Sequence, residues 1–505
     1  MPDTFLAWAF FGAYALVIIG VAWFNSRKST TLQSFSIGAR DAGPMFVGLS
    51  LAANMTSAAT FVINPGLVYA YGWAGFLGYS IATPLGIFLG LSILSKAFRR
   101  VGDKYAVITV PQWIGSRFGD KRLTVYLSLV SMFQITFLVL IVVGLSVVMT
   151  NVFRIGTIPA LCIVIGFTFT YMFFGGASAH IWTNTIQAVI KIGVAIILLL
   201  SGIEVFGGGI GALWERLAAV APHYASPVNP DSKLFRDYFE VVFCNFVIGV
   251  AIVTQPHIIS KSLFLRSERD VNTYLATAIA AEVLFFSVLF VGIYARLLLT
   301  TPGLPPDRVI STYIVERFSP FLRSVIMLGI LASGFSTMEG ILLSLSSIFS
   351  NDFIRNTGWL RAADEAALKA KLFRFSRAFI VVLAPVTFFL AYNQIINPSL
   401  SVAIFAQNGV YALIAATFAP ILYGVFAKGH VPRHLVFASS AVALLIHLGM
   451  YYGGITVYHN NPAVPATCGI LVSTAMLGLG IRFSRQFSTQ QADVSPLSTT
   501  HSPTT

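Results

Sequence analysis

The sequence has very little charge for its length. Only 10% of its 505 residues are Asp, Glu, Lys or Arg, whereas 56% are hydrophobic. The mean hydropathy is +0.80, and a soluble protein of this size could not bury so much apolar surface. The composition therefore predicts an all-α polytopic membrane protein to which no soluble domain is attached.

Cysteine is scarce as well. Cys162, Cys244 and Cys468 each lie in an apolar segment, without the spacing of metal ligands. This excludes a disulfide framework and predicts buried, inert thiols. The first residues have no positively charged region and no small-residue cleavage site follows them, so no cleaved signal peptide is expected. The spans also lack a convergent nucleophile, base or metal cluster, so the chain is not predicted to be an enzyme.

Basic residues are in excess, with a net charge of +13. In a soluble protein this charge would suggest nucleic acid as the partner. Here the Lys and Arg residues gather in the loops between apolar runs, which is typical of orientation in a membrane. We expect a lipid bilayer as the partner and no nucleic acid.

Thirteen apolar runs of about 20 residues predict thirteen transmembrane helices. An odd number places the two termini on opposite sides. With the N-terminus outside, 23 of the 32 Lys and Arg residues lie on the inner side and 8 on the outer side, and Lys191 lies inside a span. The positive-inside rule thus predicts an external N-terminus and a cytoplasmic C-terminus, and the short loops suit a bacterial inner membrane. The predicted spans are 5–24, 45–70, 73–96, 123–150, 157–175, 180–204, 239–260, 271–299, 321–350, 376–393, 400–427, 434–454 and 464–482.

Three segments outside the spans have a recognisable character. Residues 205–238 form the largest outer loop and include a short amphipathic stretch around Leu213–Val220. Gly358–Phe375 alternates Ala, Glu and Lys and predicts a short cytoplasmic helix. Residues 486–505 are polar and rich in Ser and Thr, so they are expected to be a disordered cytoplasmic tail, which leaves 1–485 as one transmembrane domain.

The most unusual span is Gly43–Gly66, whose middle carries Asn54, Thr56 and Ser57. In hydrocarbon a disturbed helix is tolerated only against protein or a water-lined cavity. A helix weakened at mid-depth in a polytopic protein favours a substrate or ion site. The alternative is a kinked helix that is simply well packed.

The chain also contains an internal correspondence. Without the first span, spans 2–6 (about 45–204) and 7–11 (about 239–427) form two units of five helices, and an odd number makes the units inverted. The leading helix of the second unit, Glu240–Ile259, is interrupted too, since Gly249 weakens its middle and Pro256 cannot donate to the preceding turn. Two disturbed helices at equivalent positions predict a transporter whose site lies between them.

Span 9 places three hydroxyl groups on one helical face. Ser333, Ser336 and Thr337 are spaced i, i+3 and i+4. Facing the freed carbonyls of a broken helix, they would supply the oxygen ligands that a cation such as Na⁺ prefers. The alternative is that these hydroxyls bond to their own helix or let helices pack closely.

Several motifs together make the chain recognisable. In their order and spacing it resembles the sodium:solute symporter family over residues 1–485. The resemblance implies a LeuT-like inverted repeat of five plus five helices, with one additional N-terminal helix and two C-terminal helices. It also implies sodium transport by symport, Na⁺ as the coupling ion, no cofactor, and function as a monomer. The motifs are Ser34–Arg40, Gly43–Gly66, Thr109–Gly119, Phe174–Gln187, Gln255–Ile259 and the pair Ser336-Thr337.

The resemblance implies a sodium site built from carbonyls of the first broken helix and from span 9. Matching the positions gives Ala53 and Thr56 on the broken helix, and the register could shift by one residue to Ala52 and Met55. Span 9 contributes Ser333, Ser336 and Thr337.

One departure from the family pattern concerns the ion path. Asn184 stands where many members have an aspartate, which puts ion affinity or the coupling ion in doubt. Glu339 could supply a compensating carboxylate or face a wet surface. Lys191 and Glu282 are charges at membrane depth and hence functional candidates. Lys191 could pair with a carboxylate, bind an anionic substrate or snorkel.

We therefore predict a sodium-coupled symporter that imports a small organic solute by alternating access. An organic acid or an amino acid is favoured over a sugar, because span 3 has no carboxylate near the site. One alternative is the same fold driven by protons or uncoupled, and another is a membrane sensor. The predicted substrate-binding residues are Asn54, Ser57, Thr60, Tyr79, Thr254, Gln255, Gln407 and Asn408.

Overall fold

A computed structural model describes residues 3–301, 303–397, 402–429 and 431–493, with side chains up to 484. Within these ranges every regular element is a helix. Ten helices are long and apolar enough to cross a membrane, and two bent helix pairs raise the number to twelve. The ten are Thr4–Ser26, Trp73–Tyr105, Lys121–Phe153, Thr157–Leu200, Asp270–Leu298, Pro320–Thr357, Glu365–Ile396, Val402–Phe426, Arg433–Tyr452 and Ala463–Ser484.

One of these helices corresponds to two predicted spans. Thr157–Leu200 has 44 residues, or about 66 Å at 1.5 Å per residue, which is roughly twice the thickness of a bilayer core. Its helical geometry is interrupted at Gly176, where φ is 63° and ψ is −164°. The interruption lies between the predicted spans 157–175 and 180–204. Counted as two crossings, this helix brings the described spans to the predicted thirteen.

The two bent pairs are the helices that the sequence marked as disturbed. The first broken helix consists of Pro44–Met55 and Ala59–Tyr71, which meet at 58°. The second broken helix consists of Phe239–Ile252 and Pro256–Phe264, which meet at 57°. Each pair opens one of the two five-helix units, as predicted.

The breaks have different local causes. Thr56 is extended (φ −93°, ψ 101°) and ends the first half of the first broken helix. In the second, Pro256 starts the new half in the position where a missing N–H costs nothing. Gly249 was expected to disturb this helix, but it lies inside the intact Phe239–Ile252 half. A Cβ atom there would be 2.2 Å from the Thr83 carbonyl oxygen, so Gly249 allows close helix packing instead.

The Pro320–Thr357 helix is the most buried of the long helices. It packs against Thr157–Leu200, against Thr4–Ser26 and against the first broken helix. Phe335 on this helix contacts the rings of Tyr14 and Phe167, with centroids 6.2 and 5.0 Å away. This aromatic packing fixes span 9 beside the first break.

Two segments outside the predicted spans differ from expectation. Gly358–Phe375 does not form a helix of its own. A helix starts at Glu365, capped by Asp364, and continues without a break past Phe375 to Ile396, with Pro385 inside it. The last helix runs to Asp493, eight residues into the predicted tail, where Gln and Ala favour helix. The tail prediction for 494–505 lies outside the described residues.

The surface helix expected in the outer loop is present as Gly209–Val220. The thiols are free, but only Cys244 is buried, whereas Cys162 is exposed on the helix surface, contrary to prediction. Cys162 therefore lies on the outward-facing side of the Thr157–Leu200 helix, whereas its neighbour Leu161 is buried. Further helices are Leu32–Ile37, Val110–Phe118 and Pro306–Arg317.

Candidate functional site

The first break leaves backbone carbonyls without helical partners. The amide and the hydroxyl of Thr56 both donate to the Ala52 carbonyl oxygen, at 3.2 and 2.7 Å. The carbonyls that follow have no N–H donor in a next helical turn, so they need hydrogen-bond donors from other parts of the chain. Those of Ala53, Asn54 and Thr56 find them on two other helices.

The ammonium group of Lys191 binds two of these carbonyls. Its Nζ donates to the carbonyl oxygens of Ala53 (2.5 Å) and Thr56 (2.6 Å) and to Ser336 Oγ (2.8 Å). An ammonium has three donors, and all three are used. Lys191 is fully buried, so it does not snorkel to the membrane surface.

The hydroxyls of span 9 bond to the same stretch of backbone. Ser336 Oγ lies 2.8 Å from the Ala53 carbonyl oxygen, and Thr337 Oγ1 donates to the Asn54 carbonyl oxygen at 2.9 Å. The Ser333 hydroxyl instead donates to Ile330 on its own helix (2.7 Å). The Ser333 carbonyl accepts from Ser336 (2.8 Å).

The structure brings the five predicted sodium-binding residues together. Their oxygens suit a cation, and the carboxyl end of a half-helix favours positive charge. However, the ammonium of Lys191 already binds three of them, Ala53, Thr56 and Ser336. A sodium ion about 4 Å from it would be repelled by about 4 kcal/mol at an effective dielectric constant of about 20. With Lys191 charged and in this position, the residues do not fit Na⁺.

A second buried lysine binds the same half-helix, and sequence reasoning missed it. Lys261 Nζ donates to the carbonyl oxygen (2.8 Å) and the hydroxyl (2.5 Å) of Ser50. The prediction counted Lys261 among the loop charges, but it is 1% exposed. Its position five residues after Pro256, in the second half of a broken helix, was the available signal.

The Asp270–Leu298 helix presents Glu282 and Phe285 on one face, three residues apart. The Phe285 ring centroid is 5.9 Å from Lys191 Nζ. Glu282 is fully buried, and neither of its carboxylate oxygens has a hydrogen-bond partner among the described residues.

The Glu339 carboxylate does not face a wet surface, and its hydrogen bonds go to residues outside the predicted sodium-binding set. It is fully buried. Two residues past Thr337 means about 200° around the helix, so Glu339 points towards Thr157–Leu200 instead. Its carboxylate accepts hydrogen bonds from four side chains there, namely Tyr171 (2.5 Å), Thr183 (2.5 Å), Gln187 (2.8 Å) and His180 (3.2 Å).

Asn184 bridges two helices. Its Nδ2 donates to the carbonyl oxygens of Ser50 (3.3 Å) and Ser336 (3.4 Å), and its Oδ1 has no hydrogen-bond partner in the described part of the chain. Asn184 thus contacts Ser336, whose hydroxyl binds Lys191, and Ser50, which lies about one turn before Ala53. His257 is fixed by Gln134, whose Nε2 is 2.7 Å from its Nδ1.

A cavity of about 140 Å³ lies between the two broken helices. Five predicted substrate-binding residues line it, and one pair among them is linked, since Gln407 Nε2 donates to the Tyr79 hydroxyl at 2.9 Å. The five are Ser57, Thr60, Tyr79, Gln255 and Gln407.

Three other predicted side chains are directed elsewhere. Asn54 donates to the His257 carbonyl oxygen (2.8 Å). Thr254 contacts Thr417 (3.1 Å), and Asn408 donates to the Tyr452 hydroxyl (3.0 Å). Gln407 and Asn408 are neighbours on a helix, about 100° apart, so only one of the two faces the cavity.

Sequence reasoning missed several cavity residues. Asn64 carried a signal, because it ends the polar stretch of the first broken helix. The aromatic residues had none, since Phe is common in every span. The missed residues include Met55, Asn64, Thr83, Phe137, His257, Phe286 and Tyr411.

Comparison with known proteins gives consistent matches over most of the chain. The family model of the sodium:solute symporter family matches residues 35–431. The sodium/pantothenate symporter of Escherichia coli K12 is 26% identical over 493 residues, covering 93% of this chain and 95% of the relative. The sodium/proline symporter of the same organism is 24% identical over 481 residues (91% and 90%).

Among solved structures, a Na⁺-coupled sialic acid symporter in a substrate-bound outward-open state matches with a TM-score of 0.74 at 17% identity. The match covers 94% of this chain and 98% of that structure. At this identity the likeness concerns the fold, and it confirms the predicted LeuT-like architecture.

Proposed function

Because the chain belongs to the sodium:solute symporter family, we propose that it imports a small organic solute by cation-coupled symport with alternating access. The family consists of transporters, not enzymes, and membership supports sodium-coupled solute import. The observation that carries the proposal is the cavity between the two broken helices. Such helices place polar backbone at mid-membrane depth, where transporters bind their substrates.

The lining of the cavity favours a small organic acid or an amino acid. Its polar groups are hydroxyls, amides and the imidazole of His257, with no Asp, Glu, Lys or Arg among the lining residues. A carboxylate would be recognised at the start of the Ala59–Tyr71 half-helix, whose amino end is positive. The names of the relatives agree with this class, since pantothenate and proline both carry a carboxylate.

Alternating access follows from how the two units meet. Solute bound between Ser57 and Thr60 on one side and Gln255 and Gln407 on the other would join the broken helices to the Val402–Phe426 helix. Rocking of one group of helices against the other would then expose the cavity to either side. The transporter comprises 1–485, with repeats at about 45–204 and 239–427, an external N-terminus and a cytoplasmic C-terminus. Since one chain encloses the cavity, a monomer suffices.

Two coupling ions are candidates. Sodium is supported by family membership, with Ala53, Thr56, Ser333, Ser336 and Thr337 as the oxygen ligands. Protons are favoured by one specific observation, the ammonium of Lys191 among those oxygens.

Uptake into proteoliposomes tests the transport function. Labelled pantothenate, proline, other carboxylates and sugars would be offered with an inward Na⁺ gradient, an inward proton gradient, or neither. We expect accumulation of one carboxylate-bearing solute. Gln407→Ala should raise its KM about tenfold or more, because it removes a hydrogen-bonding group of the cavity.

Asn408→Ala is the matched control, since the neighbouring amide contacts Tyr452 rather than the cavity. It should leave the KM within about twofold of the wild-type value, as expected for a polar group outside the cavity. Equal effects of the two variants, or no accumulation of any solute, would contradict the proposed site or the proposed function.

A further inference from the structure

The ammonium of Lys191 lies where the family resemblance places a sodium ion. We propose that Lys191 itself supplies the cation at the first break, so that the residues gathered there do not take up Na⁺. This occupation of the site by Lys191 does not depend on the transport function proposed above.

The contacts of Lys191 leave no role for a second cation. Its three donors meet three acceptors at 2.5, 2.6 and 2.8 Å, on Ala53, Thr56 and Ser336. These are oxygens that a sodium ion would need. The Phe285 ring closes the site from the Asp270–Leu298 helix, 5.9 Å away.

Four buried ionisable residues lie in this part of the molecule. They are the lysines Lys191 and Lys261 and the carboxylic acids Glu282 and Glu339. Bringing a sodium ion as a further charge into this low-dielectric region would be costly.

The other titratable groups near this region have partners other than the freed carbonyls. Tyr171 and His180, on the same long helix as Lys191, both contact Glu339. Tyr14, on the first helix, reaches the same carboxylate through Gln187. His257 is held by Gln134. Lys191 is therefore the titratable group in direct contact with the freed carbonyls of Ala53 and Thr56.

The ammonium of Lys191 links two helices. It joins the carbonyls of Ala53 and Thr56, on the first broken helix, to Ser336 on the Pro320–Thr357 helix.

Binding of ²²Na⁺ to the purified protein tests the occupation of the site. We expect no saturable binding to the wild type at neutral pH. Lys191→Ala should acquire it, because the carbonyls and Ser336 become free for an ion. Adding Ser336→Ala should weaken this new binding about tenfold or more, since it removes a ligand.

The matched control is Ser346→Ala in the Lys191→Ala background. Ser346 is a buried serine of the same helix whose hydroxyl donates to Leu343 of its own helix (3.1 Å). It should not change ²²Na⁺ binding. Saturable binding to the wild type that Ser336→Ala abolishes would overturn the proposal. This wild-type experiment decides even if Lys191→Ala does not fold.

Discussion

The two broken helices have nearly the same shape and very different chemistry. They bend by 58° and 57° and open equivalent units. At the first break the freed carbonyls bind a buried ammonium from Lys191. At the second break the side chains close the gap themselves, since Thr254 Oγ1 donates to Ala251 (2.7 Å) and Gln255 Nε2 to Ile252 (3.2 Å).

This difference separates what the repeat determines from what single residues determine. The repeat supplies two gaps in the backbone at corresponding places. A cation site forms only at the first break, where two other helices contribute the side chains of Lys191, Ser336 and Thr337. The second gap faces Thr417, a neutral hydroxyl 3.1 Å from Thr254. We therefore expect substitutions to be far more costly at the first break.

The largest effect should come from Lys191→Met. It leaves the two buried carbonyls of Ala53 and Thr56 without their hydrogen-bond donor, which should lower the free energy of unfolding by about 3–5 kcal/mol. Thermal unfolding in detergent without Na⁺ measures this. If Lys191→Met lowers the free energy of unfolding no more than Thr254→Val does, the two breaks do not differ in the way proposed.

Ser336→Ala should have the next largest effect. It removes a hydroxyl that bonds to an ammonium and a freed carbonyl, worth about 1.5–3 kcal/mol of unfolding free energy. Ser346→Ala, on the same helix, provides the comparison and should cost less, because its hydroxyl bonds only to its own helix. Similar unfolding temperatures for the two variants would show that Ser336 has no special role.

At the second break the pair Thr254 and Thr417 should contribute about 0.5–1.5 kcal/mol, the value of a neutral hydrogen bond. A double-mutant cycle with Thr254→Val and Thr417→Val measures this coupling directly. A coupling energy as large as that of a buried charge would mean that the second break is also an ionic site.

The smallest effect should come from the exposed pair of Lys28 and Asp41, whose atoms are 2.6 Å apart in the loop before the first broken helix. Lys28→Ala should cost less than about 1 kcal/mol. The hydrogen bond from Lys28 lowers the pKa of Asp41, so the stabilisation is present above the usual carboxyl pKa and is lost as the pH falls through the lowered pKa. Unfolding temperatures of wild type and Lys28→Ala should therefore converge in acid, and a gap that widens there would contradict this.

The sequence was enough to predict both breaks and the fold. Thr56 interrupts an apolar run and Pro256 removes a backbone donor, and both are local properties. The partner of the first break was beyond prediction. Lys191 was recognised as a charge in a span, but the oxygens it meets depend on the packing of three helices far apart in the chain.

The cavity shows the same limit. Gln407 and Asn408 are adjacent amides, and the sequence makes both equally good candidates for substrate binding. Only the packing of their helix directs Gln407 towards Tyr79 and Asn408 towards Tyr452. Lys261 was counted as a loop charge because the neighbouring sequence does not show that its ammonium binds Ser50 of the first broken helix.

In the proposed arrangement an ammonium, and not a sodium ion, occupies the first break. Anomalous diffraction from crystals grown with Tl⁺, a heavy substitute for monovalent cations, tests this position directly. We expect no anomalous peak among Ala53, Thr56 and Ser336 in the wild type, and a peak there in Lys191→Ala. A peak at these oxygens in the wild type would contradict it.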